Sequence, residues 1–235
     1  MFGQYNDTFH CETDGILVEI ERIDDILTYR RGCEGQTFER IVVSETGSIL
    51  INPVEPVNLP KDITSFLQME FPPMFIEPGA SRSIYLKFPV EIGVFLVSEK
   101  GTEILDVFGS GTQKYTLYGS PAGGVIARWY HSAVYPDIPL VERFREGVMN
   151  LTIQNTSSEW AEVSCAVFRS ADTKIFYNDD IVATSATMKI VSPTIAETDF
   201  IDAPLIPGMA KSIELYTARK IGVISRGYLM EWGLS

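Results

Sequence analysis

Residues 78–86, PGASRSIYL, recur as residues 207–215, PGMAKSIEL, and each copy is followed at the same distance by Ile-Gly-Val, at 92–94 and 221–223. The two copies are related by a constant shift of 129 residues without a gap, and eight of the twenty positions 78–97 are identical. Ordinary composition gives about one or two identities by chance over that length. The repeat therefore predicts an internal duplication.

A second pair of segments extends the repeat toward the start of each unit. Residues 14–20, DGILVEI, resemble residues 146–153, EGVMNLTI: each has an acidic residue, a turn glycine and a strand-like run. The shift is 132 residues here, and loops absorb such small insertions at low entropic cost. We expect two units of about 90 to 120 residues, each long enough for its own core.

Most of the chain has the pattern of β-strands. Apolar and polar residues alternate over 16–23 and 83–88, whereas 90–97 is almost continuously apolar, as in a strand buried on both faces. Glycine and proline turns separate such segments every 8 to 12 residues in most places, which is typical of β-sandwiches. The predicted fold is all-β: two tandem, internally duplicated, immunoglobulin-like β-sandwich units with an appended hairpin region.

The repeat also sets the expected limits of the units. We place the first unit with its appended hairpins at 1–120, a hairpin strand and short helical connector at 121–146, and the second unit at 147–235. Asp137 and Pro139 suit the start of a helix that would run over 140–146. Residues 98–135 have no counterpart in the second unit, so they either pack on the first as two hairpins or exchange a strand with the second. The repeated apolar positions are expected to be buried: Ile84, Leu86, Ile92 and Val94, and Ile213, Leu215, Ile221 and Val223.

Composition narrows the classes of partner. The chain is 45% hydrophobic and 21% charged, which predicts a packed globular protein, and its formal net charge is −12. So acidic a chain repels phosphate backbones, which argues against nucleic-acid binding. The sequence shows no apolar run of about 20 residues and no signal-peptide pattern at its start, so we expect a cytoplasmic protein without membrane insertion.

The cysteines and histidines give weak metal-binding signals. Three cysteines, Cys11, Cys33 and Cys165, are widely spaced, and a Cys11–Cys33 pairing stays open. His10 beside Cys11 supplies too few ligands for a zinc site of the usual kind. We therefore expect no metal and no cofactor.

No catalytic motif stands out, and we predict no catalytic residue. The stretch 109–112, GSGT, lacks the lysine and the following helix of a phosphate loop, and a hairpin turn explains it. The carboxylate pairs at 24–25 and 179–180 fit solvated turns.

Arg128, Trp129, Tyr130 and His131 form the cluster with the clearest functional character. Tryptophan, tyrosine and arginine are the residues that dominate protein-binding hot spots. If 125–130 is a strand, Arg128 and Tyr130 face one side while Trp129 and His131 face the other. Two interpretations stay open: ordinary sandwich packing with an arginine that reaches the surface, which we favour, and a binding or dimer surface, for which these four residues are the candidates.

Four further segments carry a family resemblance: 88–94, FPVEIGV; 118–121, YGSP; 123–130, GGVIARWY; and 145–147, REG. They resemble an archaeal family, met mainly in methanogens, that is known only as domain of unknown function 432. The resemblance covers essentially the whole chain. It implies an archaeal, cytoplasmic protein and supplies no activity.

The leading functional hypothesis is a non-enzymatic protein-interaction or assembly module that binds a partner protein or a second copy of itself. One alternative is small-ligand or carbohydrate binding in a cleft between the units, using Arg128, Trp129, Tyr130 or Trp160. Another is an enzyme of unrecognised type.

Overall fold

The computed structural model describes residues 1–56, 64–142, 144–215 and 227–230. The prediction of an all-β chain is confirmed, since the elements of these residues are strands and one short 3-10 helix, Ser170–Asp172. Within the described ranges, no helix has the length and hydropathy needed to cross a bilayer. The strands are β1 (Gly3–Tyr5), β2 (Phe9–Thr13), β3 (Ile16–Ile23), β4 (Ile26–Cys33), β5 (Gln36–Val43), β6 (Ser48–Val54), β7 (Phe66–Ile76), β8 (Ser81–Pro89), β9 (Glu91–Ser98), β10 (Gly101–Phe108), β11 (Lys114–Tyr118), β12 (Val125–His131), β13 (Glu146–Asn155), β14 (Ala161–Arg169), β15 (Phe176–Tyr177), β16 (Val182–Ser192), β17 (Ile195–Ile201), β18 (Ala210–Lys211) and β19 (Tyr228–Met230).

These strands form four sheets. Sheet 1 has the order β1-β6-β9-β10, and sheet 2 is the antiparallel meander β2-β3-β4-β5. Sheet 3 has the order β11-β12-β7-β14. Sheet 4 has the order β18-β15-β16-β13-β8, with β17 beside β16 and β19 beside β17. Two pairs are parallel, β12 with β7 and β13 with β16.

The four sheets enclose two cores, one between sheets 1 and 2 and one between sheets 3 and 4. Sheets 1 and 2 bury one face each against the other, because alternate side chains of their strands are apolar. This first core contains Ile16, Val18, Ile20, Leu27, Tyr29, Ile49, Ile51, Ile92, Val94 and Phe108. Sheets 3 and 4 enclose the second and larger core, which includes Leu67, Met69, Phe71, Ile84, Leu86, Phe88, Met149, Leu151, Val163, Phe168 and Met188.

The two cores do not follow the limits expected from the repeat. Strands β7 and β8 lie within the expected first unit, yet they pair with β14 and β13 of the expected second unit. The limits 1–120, 121–146 and 147–235 and the tandem duplication stay predictions. Residues 98–135, whose placement was open, are divided: β10 extends sheet 1, whereas β11 and β12 belong to sheet 3.

The first repeat anchor has different neighbours in its two copies. Strand β3 lies between β2 and β4 and is antiparallel to both. Strand β13, its counterpart, is antiparallel to β8 but parallel to β16. The expectation of one strand order in both copies is therefore wrong at this anchor.

The segment before β13 is not the expected helical connector. In the described residues of 137–146 the chain makes one turn, closed by hydrogen bonds from the amides of Arg145 and Glu146 to the Glu142 carbonyl. Phe144 has φ +66° and is buried, so the backbone leaves helical geometry to place this ring in the first core. Glu146 then begins β13 opposite Pro89.

The repeated apolar positions are mostly buried, as predicted. Leu86, Ile92, Val94 and Leu215 are at most 1% exposed and Ile84 is 4% exposed. Ile213 is only partly buried, so the prediction is wrong there. Ile221 and Val223 lie outside the described residues. The 109–112 stretch is not a hairpin turn either, because it joins β10 of sheet 1 to β11 of sheet 3.

Candidate functional site

The cluster Arg128–His131 lies on β12, between β11 and β7. Register with β7 places Arg128 beside Leu67 and Tyr130 beside Met69, both fully buried. Arg128 and Tyr130 therefore point toward the second core, whereas alternation places Trp129 and His131 on the outer face of sheet 3. The predicted division of the cluster between two faces agrees with this register.

Arg128 forms an ion pair with Glu91, and both side chains are buried. Glu91 belongs to β9 of sheet 1, whereas Arg128 belongs to β12 of sheet 3. Gln113 donates a hydrogen bond to the same carboxylate at 3.4 Å. Removing one member of a buried ion pair costs far more than removing an exposed one. Arg128 thus links sheets from the two sandwiches.

Tyr130 belongs to a second polar group, centred on Glu146. Its hydroxyl donates to Glu146 Oε1 at 2.8 Å, and Lys87 Nζ lies 2.8 Å from Glu146 Oε2. Burial alone would raise the pKa of Glu146, but hydrogen bonds from Lys87, the Glu142 amide and Tyr130 hold it below its usual value. Burial raises the pKa of the Tyr130 hydroxyl, so it stays a donor at neutral pH. The Arg128–Glu91 and Tyr130–Glu146 contacts therefore stabilise the packing of the sheets.

The outer half of the cluster is more accessible. Trp129 is partly buried, its Nε1 donates to Glu70 Oε2 at 2.7 Å, and the Lys114 ammonium lies 5.3 Å from the centre of its ring. His131 is exposed, with its ring centre 6.3 Å from that of Trp129. Trp129 and His131 are therefore the members that a partner can reach.

A polar cleft of about 230 Å³ adjoins these residues. The 110–113 stretch, Arg128 and Glu146 line it, together with Lys114 and Arg145. The charges of Arg128 and Glu146 are engaged by Glu91, Lys87 and Tyr130. Two of the charged residues that line the cleft, Arg128 and Glu146, are therefore bound to other residues of this chain.

The structure reveals a second candidate surface, which sequence reasoning missed. On the outer face of sheet 2, Ile23 lies opposite Ile26, and Ile26 lies opposite Val43. Ile41 lies on β5, two residues from Val43 on the same face. The exposed fractions are 61% for Ile23, 41% for Ile26, 64% for Ile41 and 71% for Val43. We call these four residues the sheet 2 patch.

A sequence signal for this patch exists in the run Ile41–Val43. Three successive apolar residues in a strand place the middle one on one face and the outer two on the other. In a two-layer sandwich only one face is covered, so such a run exposes one set. Val42 packs against the first core, and Ile41 and Val43 are the set left outside.

The rim of the sheet 2 patch is mainly acidic. Asp24 and Asp25 form the turn between Ile23 and Ile26 and are exposed. Glu21 and Glu39 flank the patch and share Arg30, whose Nε lies 2.7 Å from a Glu39 oxygen and whose NH1 lies 3.6 Å from Glu21. Arg30 pairs with Glu21 and Glu39, whereas Arg22 donates to backbone carbonyls that include that of Asp24. The carboxylates of Glu21, Asp24, Asp25 and Glu39 outnumber these two cations, so this part of the rim is negative.

The other sequence candidates lie apart. His10 Nδ1 is 3.0 Å from Glu19 Oε1 on sheet 2. Cys11 and Cys33 are free thiols, so the pairing that the sequence left open is not formed. Burial raises the pKa of the Cys165 thiol to about 11, which keeps it protonated at neutral pH. Across the described ranges, no three His, Cys, Asp or Glu residues lie close enough to hold a metal ion. Trp160 is exposed.

The sequence profile of the family described as "Protein of unknown function (DUF432)" matches residues 1–231. The chain itself is an all-β protein. The chain belongs to this family, as the resemblance implied. No curated protein and no solved structure matches it.

Proposed function

We propose that this chain is a non-enzymatic protein-interaction module and that it holds a partner protein at the sheet 2 patch. The observation that carries the proposal is the contiguity of the four exposed aliphatic side chains across three neighbouring strands. Soluble proteins seldom leave such a group in water unless it serves a contact. The patch also lies at β5, which among the described strands forms an edge of sheet 2, and an edge strand offers its backbone groups to a partner.

The charge of the rim favours one kind of partner. Asp24, Asp25, Glu21 and Glu39 surround the apolar centre, so a partner with an apolar centre and a basic rim complements it. A second copy of this chain would bring two acidic rims together across the contact. Self-association, which the sequence left as an equal alternative, is therefore the less favoured arrangement.

Arg128 and Tyr130 do not contribute to the sheet 2 patch, because their buried bonds join sheet 3 to Glu91 of sheet 1 and to Glu146 of sheet 4. Trp129 and His131 are proposed as a lesser contact on the outer face of sheet 3. An archaeal origin and a cytoplasmic location belong to the same proposal, and they follow from the family resemblance.

The test compares three proteins: wild type, the double variant Ile41→Ser/Val43→Ser, and Leu140→Ser. Leu140 is 94% exposed and lies outside the patch, so it controls for the loss of any exposed aliphatic group. Each protein is used at several salt concentrations to capture proteins from a lysate of the source cells, and its solution mass is measured.

We expect one captured protein that wild type and Leu140→Ser retain, that the double variant loses, and whose capture weakens as salt rises. All three free proteins are expected at the monomer mass of 26.2 kDa. Identical captured sets for wild type and the double variant would overturn the proposal. A wild-type dimer that the double variant abolishes would replace the basic partner with a second copy.

A further inference from the structure

A mainly apolar hollow of about 350 Å³ lies beside the second core, where the chain passes from β7 of sheet 3 to β8 of sheet 4. Three segments line it: the end of β7, the start of β8 and the segment that follows β12. Apart from Arg82 and Ser83, its described lining residues are apolar or aromatic, among them Met74, Phe75 and Val134.

The hollow exists because β12 stops pairing with β7 before β7 ends. The last paired residues are His131 and Glu70, and Phe75 lies further along β7. After His131 the chain crosses to β8, where Tyr135 exchanges two backbone hydrogen bonds with Tyr85 at 3.0 and 2.9 Å. This bridge closes the edge of β8 at Tyr85, so the hollow is the space left between the crossing segment and the end of β7.

The hollow borders on the second core. Ile76 and Ile84 line it and are core residues, at most 6% exposed. Met74 and Val134 also line it and pack against this core. Phe75 is 67% exposed although it carries a large apolar ring. An apolar group in the hollow would therefore take apolar surface out of water, which is favourable.

Arg82 gives the hollow a charge preference. It is exposed, and none of the ion pairs formed by the described residues includes it. Its side chain lies on the same face of β8 as that of Ile84, two residues away. No carboxylate belongs to the described residues that line the hollow. An anion would therefore meet a guanidinium without a carboxylate partner, whereas a cation would meet no acidic group there.

We propose that this hollow binds a small organic acid, a monocarboxylate with an aromatic or branched aliphatic body. The body packs against Met74, Phe75 and Val134, and the carboxylate pairs with the Arg82 guanidinium at the mouth. One guanidinium balances one negative charge, so a monoanion fits better than a dianion, and a carboxylate matches its planar donors. Apolar walls with a small number of polar groups are the usual composition of ligand sites. The hollow shares no residue with the sheet 2 patch, so the two proposals fail separately.

The probe is hydrocinnamate, which joins a phenyl ring to one carboxylate. Its amide, hydrocinnamide, keeps the ring and removes the charge, whereas propanoate keeps the charge and removes the ring. Each compound is titrated into the full chain, which carries isotope-labelled methyl groups of Met, Ile and Val, and binding is followed by NMR. The methyl signals of Met74 and Val134 report binding in the hollow, and those of Ile41 and Val43 report the sheet 2 patch. Methyl signals remote from both surfaces check that each variant is folded.

We expect hydrocinnamate to shift the Met74 and Val134 signals with a dissociation constant of about 1 mM or lower. Hydrocinnamide should bind about fivefold more weakly, since an exposed ion pair contributes no more than that, and propanoate should not saturate. Arg82→Gln should remove the difference between acid and amide, and Phe75→Ala should weaken both by the same factor. Lys189→Gln is the matched control and should change neither affinity. Lys189 is an exposed cation of sheet 4 that no ion pair of the described residues includes.

Any of three results would overturn the proposal. The first is no shift of the Met74 or Val134 signals at up to about 10 mM hydrocinnamate, whether or not those of the sheet 2 patch move. The second is equal affinity of wild type for the acid and the amide. The third is a loss of acid binding in Lys189→Gln as large as in Arg82→Gln, which would show attraction by overall charge instead of contact with Arg82.

Discussion

The two copies of the repeat begin alike and end in different surroundings. Both start with a Pro-Gly turn, in which Gly79 has φ +77° and Gly208 has φ +89°. The first copy then forms β8, nine residues long, which pairs along its length with β13. In the described part of the second copy, residues 207–215, the strand that forms is the two-residue β18, which pairs with β15 of sheet 4.

The second copy is held by polar side chains where the first is held by a strand ladder. Ser212 Oγ donates to the Pro53 carbonyl and accepts from Asn52 Nδ2 at 2.6 Å. The Leu215 amide donates to the buried Glu55 carboxylate at 3.0 Å. Leu215 itself packs in a small apolar cluster with Val54, Phe95 and Val107, whereas Leu86 packs in the large second core. The two copies are similar in sequence, but different contacts bury them.

The largest expected effect is on the two repeated leucines. Leu86→Ala should lower the free energy of unfolding by about 3 to 5 kcal/mol, because the large core between two sheets cannot collapse around the lost volume. Leu215→Ala should cost less, about 2 kcal/mol, because its smaller cluster can adjust. Urea unfolding measures both, with the exposed Leu140→Ala as a control expected within about 0.5 kcal/mol of wild type. Equal losses at Leu86 and Leu215 would contradict the comparison.

The next largest effect is on Glu55, whose side chain accepts the hydrogen bond from the Leu215 amide. Burial raises the pKa of Glu55 to about 8 from an ordinary value of 4.5, and the Leu215 amide offsets only part of that rise. Because the folded state then binds the proton more tightly than the unfolded state, stability is greatest below about pH 4.5 and falls toward pH 8. The change expected from this one group is on the order of a few kcal/mol.

Glu55→Gln isolates this contribution, since glutamine keeps the acceptor oxygen and does not titrate. Unfolding free energies of wild type and variant, measured between pH 4.5 and 8, should differ in slope, with the flatter curve for the variant. The remaining titratable groups, including Asp172 with its raised pKa, are common to both proteins. Parallel curves would show that the titration of Glu55 does not contribute to the pH dependence of stability.

The smallest expected effect is on the Pro-Gly turn that the two copies share. Gly79→Ala and Gly208→Ala should each cost about 1 kcal/mol, because both glycines have positive φ. A Cβ would meet no atom within 4 Å at either site, so backbone conformation alone sets the cost. Gly123→Ala is the control, since its φ is not in the positive range and an added Cβ would lie 3.7 Å from Ser120 Oγ. Costs that differ by more than about 0.5 kcal/mol between the two repeat glycines would show that the turns are not equivalent.

Much of the local structure was predictable. Alternation identified most strands, and the repeated Pro-Gly pairs identified two positive-φ turns. Gly93, repeated as Gly222 in the second copy, lies at a close approach, since an added Cβ at Gly93 would lie 2.6 Å from Phe95 and Val54 side-chain atoms. Position 222 lies outside the described residues. The helix over 140–146 was wrong because burying Phe144 overrides local capping signals.

The candidate sites were less predictable. The cluster Arg128–His131 was found from residue types. Which of its members are buried and bonded within the chain, and which are accessible, depends on Glu91, Glu146 and Glu70, which lie 16 to 59 residues away. The sheet 2 patch depends on which face of β5 is covered. No local pattern contains those partners.

The sequence by itself determined the all-β class, the two repeated Pro-Gly turns and most of the repeated apolar positions that the structure describes, because these depend on φ preference and on a period of two along each strand. Tertiary structure alone decided that β7 and β8 join sheets with β14 and β13, and which faces stay open. It also decided that residues 81–86 lie in a long strand whereas the described counterparts, 210–215, contribute a two-residue strand. Those outcomes depend on pairings between residues far apart in the chain, whose backbone hydrogen bonds are nearly independent of side-chain identity.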